Sequence, residues 1–287
     1  LAIDRDPIFL RAAHQVSGEM NHWAEGFLGR PIVDDWERQL DCTTKMYRPR
    51  GLHLDDRHVR FTDGVGLSAS IVDTVLYVVN NYTALRRDNS SIVLYLPKIQ
   101  TAEEAALWNE ILSTLEVGLG LETGAIKVYV LVEHLEASFQ LMEIRAVLGR
   151  HFVGFNTGRW DYINSVADAR NWDPDFVNPN IDAIAMTYGY MSNYEDRVRR
   201  AVNTRDRNGR CALWQGGMEP NIPVGSKRGV AEGMKRAIAG AEREQRAGAS
   251  GKWVAHWKMV HIVRPVWERV GEDNQCGRSF PPLTYTE

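Results

Sequence analysis

The stretch IKVYVLVEHLEASFQLMEIRAVLGRHFVGFNTGRWDY, residues 126–162, holds one complete structural repeat and the opening of another. Its first seven residues are apolar except for Lys127 and rich in valine and isoleucine, the pattern of a strand buried on both faces. The run stops at Glu133. Residues 137–148 then place Phe139, Met142, Ile144 and Leu148 on or near one helical face, and residues 151–155 (HFVGF) make a second short strand leading into Asn156, Thr157 and Gly158. Strand, helix and strand in that order form a crossover between parallel strands, so the stretch predicts a parallel sheet covered by helices.

The same alternation extends in both directions. Upstream, residues 91–96 (SIVLYL) read as a strand closed by Pro97. Thr101 caps the helix that follows, with Glu104 three residues on completing a capping box and Ala105, Leu107, Trp108, Ile111 and Leu112 as its apolar stripe. Downstream, residues 181–186 (IDAIAM), 211–214 (CALW) and 252–255 (KWVA) read as strands, and residues 194–202 and 229–247 as helices. The expected fold is a (β/α)8 TIM barrel, incomplete at its ends if the chain is cut there. Its expected limits are residues 41–270, between an N-terminal helical segment (1–40, with an amphipathic run over 9–27) and a tail (271–287).

The 287 residues, 25% charged, carry a formal net charge of -3, as expected of a soluble globular chain and not of a nucleic-acid-binding surface. The arginine-rich stretch Arg197, Arg199, Arg200, Arg205 and Arg207 reads as a solvated helix face. Cys42, Cys211 and Cys276 are three, widely spaced and in no CxxC arrangement, which points to a reducing cytoplasm and away from disulfides or zinc. No apolar run reaches eighteen residues and no leader is legible, so no membrane association is expected. The chain begins with Leu1, and both ends are treated as possible cuts. No GxSxG, Walker loop or GxGxxG is present. The histidines lack ligand spacing and read as structural or exposed.

Several residues carry chemistry. Glu133 and Asp161 each follow a strand, so both acids are expected at one end of the sheet, where together they can hold one hard cation; magnesium needs few carboxylates because it keeps water and substrate oxygens. Acids at strand ends also serve as helix caps and salt-bridge partners. Gly158, before Arg159, Trp160 and Asp161, lets backbone amides approach an anion, or is a turn glycine. Arg48 and Arg50, in a rigid basic turn, can grip a carboxylate, or pair structurally with Asp55 or Asp56. Trp214, Met218, Pro220 and Pro223 can line a pocket for a pantetheine arm or adenine, or form a packed turn.

RPRGLHLDDRHV (48–59), YLPKIQTAEEAALWNEI (95–111), GAIKVYVLVEHLEASFQLMEI (124–144), FNTGRWDYINS (155–165), GGMEPNIP (216–223) and GKWVAHW (251–257) together resemble the malate synthase family, with GRWDY and its upstream glutamate the most specific part. The resemblance implies a condensation of acetyl-CoA with glyoxylate that yields malate and CoA in the glyoxylate cycle. It implies magnesium on Glu133 and Asp161, and glyoxylate contacted by Arg48, or after it Arg50. The turn Gly158, Arg159 and Trp160 would then hold glyoxylate's carboxylate. The expected partners are these small molecules, with a homo-oligomer left open. The family's base, an aspartate in a helical segment beyond the barrel, and its acidic motif before the arginine turn have no counterpart in this sequence; Asp196 falls in the wrong block. A malyl- or citramalyl-thioester lyase, or an acyl-thioester-binding barrel without catalysis, remains the alternative.

Overall fold

The computed structural model describes residues 44–180, 183–222, 225–256, 259–271 and 274–280, with His22 and Glu25. Cys42, Pro223 and nearly all of the helix expected over 9–27 lie outside the described residues. In chain order the elements are β1 (Met46–Tyr47), β2 (Asp55–Arg60), β3 (Gly66–Ser68), α1 (Ala69–Arg87), β4 (Ile92–Leu96), α2 (Ala102–Leu119), β5 (Ile126–Val132), α3 (Leu141–Leu148), β6 (Phe152–Thr157), α4 (Arg159–Ala169), α5 (Gly189–Asn203), β7 (Leu213–Glu219), α6 (Lys227–Ala247), β8 (Gly251–Val254) and α7 (Val260–Glu268). Six strands form one sheet in the order β1-β4-β5-β6-β7-β8, and β2 pairs with β3 in a separate antiparallel hairpin. Strands alternating with helices in a parallel sheet are the repeat expected of a barrel of this class.

The described residues fall into two compact units. The first comprises residues up to Tyr95 together with Ile111–Lys127. In it β1 pairs in parallel with β4, Met46 opposite Val93, and Tyr47 stacks on Tyr77 of α1 with ring centres 4.3 Å apart. The loop into β5 is held by one buried acid: Glu116 accepts the backbone N–H groups of Gly124 and Ile126, each at 2.8 Å. Two charge-assisted bonds to the backbone fix where β5 begins.

The second unit comprises Leu96–Glu110 and residues from Val128 onward. Here β5 pairs with β6, β6 with β7, and β7 with β8, all in parallel. The capping box forms as read: Glu104 N–H reaches Thr101 Oγ1 at 3.3 Å, and Glu104 Oε2 accepts the Gln100 and Thr101 amides at 2.6 and 3.4 Å. Ala237 and Ala241 let α6 approach Met259, Val263 and Val266 in one buried cluster, small side chains on one helix admitting larger ones from another.

Three readings are corrected. Residues 183–186 form turns, with Ala183 N–H to Asn180 O at 2.8 Å and Tyr188 N–H to Ala185 O at 3.1 Å, and the expected strand is not made there. Its place in the sheet is taken: Gly154, Phe155 and Asn156 of β6 pair directly with Leu213, Trp214 and Gln215 of β7. The helix read over 137–148 is broken at Gln140, whose side chain instead accepts the Ala102 amide at 3.1 Å. The arginine run is a solvated face only in part: Arg200, Arg205 and Arg207 are exposed, but Arg199 is buried against Asp196, which also binds Arg200, and Arg197 lies 4.1 Å above the Phe139 ring.

Replacing Glu116 by alanine leaves two buried amides without an acceptor, and is expected to cost about 2–3 kcal/mol. Urea denaturation measures the loss; a variant as stable as the wild type would show that water takes over the acid's role.

Candidate active site

Three strand ends supply the site. β4 is followed by Pro97 and Lys98, β5 by Glu133, and β6 by Gly158, which precedes α4 with Asp161 in its first turn. Parallel strands all end on the same edge of their sheet, so residues that follow them are delivered to one rim.

Glu133 is only 1% exposed, while the Asp161 side chain is 51% exposed. Both carboxyl groups face the Lys98 ammonium, and the neighbouring Asp161 favours the protonated form of Glu133. Lys98 joins both: its backbone N–H donates to Glu133 Oε1 at 2.7 Å, and its Nζ lies 2.8 Å from Asp161 Oδ1 and 3.9 Å from Glu133 Oε2. Burial, with the neighbouring Asp161 carboxyl adding to it, pushes the Glu133 carboxyl up to about 7, and the Lys98 amide and ammonium pull it back. A second carboxylate beside a buried one makes this the place where added positive charge is most stabilising. Lys98 has φ 60°, a left-handed conformation that costs a side-chain-bearing residue about 1–2 kcal/mol. The conformation persists because both ends of the residue are held by the acids.

Gly158 shows why the two strand ends can approach. A Cβ there would lie 2.8 Å from Glu133 Cβ and 3.3 Å from its Oε2, so any side chain would displace the acid. Its φ of −86° is open to every residue; the requirement is room. Its N–H donates to the Val132 carbonyl at 3.1 Å, and the buried Tyr194 hydroxyl donates to the same oxygen while its ring stacks on Tyr162 at 3.8 Å. The Gly158 amide is therefore committed to the strand, which corrects its expected use on an anion. The amides left for that use are those of the first turn of α4, where Arg159 and Trp160 sit and no intrahelical acceptor reaches.

The family model for the malate synthase TIM barrel domain matches residues 44–279. The chain belongs to the malate synthase family. It is 37% identical to malate synthase A of Escherichia coli over 78% of this chain and 41% of that protein, and 36% identical to the malate synthase of Dictyostelium discoideum over 79% and 41%. A bifunctional glyoxylate cycle protein of Caenorhabditis elegans is 39% identical over 84% of this chain and 24% of its own length. The chain thus spans about two fifths or less of these relatives. Among solved structures, RipC from Yersinia pestis aligns with TM-score 0.49 at 14% identity, covering 81% of this chain and 80% of that one.

Among the described residues no three His, Cys, Asp or Glu side chains cluster as a metal cage. The malate synthase barrel instead offers two carboxylates, which suits an octahedral magnesium ion that keeps most of its coordination for water and substrate. Buried Glu133 beside half-exposed Asp161, two acids whose mutual repulsion an added cation relieves, fits that ion. No described helix is long and apolar enough to cross a membrane.

The remaining site residues lie as follows. Arg50 binds Asp73 through Nε and a second nitrogen, at 2.8 and 2.7 Å, and Asp56 at 2.7 Å, the structural pairing weighed for it; Arg48 is exposed. Arg159 lays its guanidinium 4.2 Å from the Trp160 ring centre. Trp214 is fully buried, its indole N–H donating to Thr157 Oγ1 at 3.4 Å, and it borders a cavity of about 400 Å³ with Glu195, Arg199, Arg243 and Phe280. Met218 and Pro220 are exposed. Sequence reading missed Lys98 and Tyr194. The signal for Lys98 was its position, at a strand end in step with Glu133.

Gly158→Ala is expected to lower stability by about 1–3 kcal/mol, because the methyl group forces Glu133 or the strand end aside. Denaturant unfolding checks this; wild-type stability would mean that Glu133 has another place to go.

Proposed function

We propose that this barrel binds magnesium and glyoxylate for a malate synthase-type condensation, in which the methyl carbon of acetyl-CoA bonds to the aldehyde carbon of glyoxylate and hydrolysis of the thioester yields malate and CoA. The observation that supports it is the pair Glu133 and Asp161, brought together at successive strand ends of a barrel belonging to this family. Bound there, magnesium supplies Lewis-acid polarisation of the aldehyde oxygen. Glu133 and Asp161 hold the cation. The first turn of α4, at Arg159 and Trp160, directs its amides at the carboxylate of glyoxylate, where a helix N-terminus favours an anion. By its place in the family motif we assign Arg48 to glyoxylate and to the negative charge that develops on the reacting oxygens; Arg50 is bound to Asp56 and Asp73.

Asp196 is not the proton acceptor from the acetyl methyl group: its side chain is fully buried and bound to Arg199 and Arg200. Trp214, as a core residue, is not assigned to coenzyme A; exposed Met218 and Pro220 keep that proposed role. The relatives named malate synthase include a bacterial protein and glyoxysomal ones of cotton and soybean. A place in the glyoxylate cycle follows from the proposal, and cysteine usage favours the cytoplasm.

Asp161→Asn is expected to abolish magnesium-dependent glyoxylate binding in calorimetry while leaving the thermal midpoint without ligands nearly unchanged, because Asp161 is half exposed. Undiminished binding by the variant contradicts the metal assignment.

A further inference from the structure

Two cations have a claim on one pair of acids. The Lys98 ammonium lies 2.8 Å from Asp161 and 3.9 Å from Glu133, on the same carboxylates proposed for magnesium. We infer that Lys98 is a built-in competitor for the metal site, which a divalent cation must displace, and that the displaced ammonium then strengthens binding of an anionic oxoacid. The inference rests on the magnesium reading above and goes beyond it by assigning a residue that sets the affinity for both ligands.

The geometry leaves Lys98 little choice. Pro97 closes β4, and the left-handed φ of 60° turns the next residue back over the strand end, where its amide is fixed on Glu133 Oε1 at 2.7 Å. With the amide held, the side chain starts beside the acids whichever rotamer it takes. The Lys98 side chain is 30% exposed, so the ammonium has somewhere to go when another cation arrives. A guanidinium or ammonium deep in the core would have no such exit.

Charge then decides the second step. Two carboxylates, one ammonium and one dication sum to a single positive charge, and the carboxylate of glyoxylate cancels it. Without the lysine the remaining two carboxylates and dication are neutral before the oxoacid binds, and the attraction for an anion falls. One substitution should therefore move the two affinities in opposite directions. A lysine that only supports the local fold would weaken both together when removed.

The test is calorimetry on the whole chain. Magnesium chloride is titrated first, and glyoxylate second at saturating magnesium, for the wild type, Lys98→Met and Lys98→Gly. The methionine keeps the stem without its charge; the glycine keeps the amide, suits the left-handed φ and guards against misfolding of the first variant. Both variants are expected to bind magnesium about tenfold more tightly and glyoxylate about tenfold more weakly than the wild type. Magnesium binding that is unchanged or weaker in both variants overturns the inference. A wild type that binds no magnesium sinks the magnesium reading itself, a result distinct from the first because it appears before any variant is compared.

Discussion

Two carboxyl groups pressed together at the end of a sheet, one of them buried, are the constraint around which this protein is arranged. Like charges repel, and a buried carboxylate lacks water to relieve the repulsion, so the pair persists only with protons or cations on it. The Glu133 carboxyl retains its proton up to about 7, and the Lys98 ammonium lies against both acids. The surrounding structure enforces the encounter. Val132 is tied to Gly158 and Tyr194 through one carbonyl oxygen, Gly158 has no side chain to hold the strands apart, and Lys98 is bent into a conformation that most residues avoid. Strain, close approach and an enforced charge pair at one rim are features expected of a functional site, since a purely structural rim gains nothing from them.

The family assignment and the geometry support the proposed chemistry from separate directions. Sequence likeness covers residues 44–279 and identifies the barrel. It does not explain why a glycine stands at 158 or why a lysine stands at 98. The contacts do: the glycine makes room for an acid, and the lysine neutralises it. What membership of the malate synthase family adds is the basis for the proposed substrates, glyoxylate and acetyl-CoA, for which such a charged rim is suited.

Much of this was legible in the sequence where local pattern and tertiary placement agree. Ile126–Val132 ends at its acid, the capping box of Thr101 and Glu104 forms, and Glu133 and Asp161 meet, because an apolar run in a parallel sheet can end only at the rim. Reading failed where tertiary structure overruled a local signal. IDAIAM has the composition of a strand, yet β6 gives its edge to β7. Gly158 was readable as an anion-binding glycine or a plain turn glycine; its amide serves the strand, and only the position of the Glu133 side chain reveals why it must be glycine. Lys98 was invisible because a lysine after a proline reads as surface; its meaning depends on a positive φ and on acids 35 and 63 positions further along the chain. Arg50 was open to two readings, a carboxylate grip or a structural pairing, and its bonds to two aspartates are the second.

The most direct measurement is a crystal structure of the chain soaked with manganese, as a stand-in for magnesium, and glyoxylate, read by anomalous scattering. The account predicts one strong peak within about 2.1–2.3 Å of oxygens from both Glu133 and Asp161, with the Lys98 ammonium moved off them. A peak elsewhere, or none, with the lysine still lying between the two acids, contradicts it.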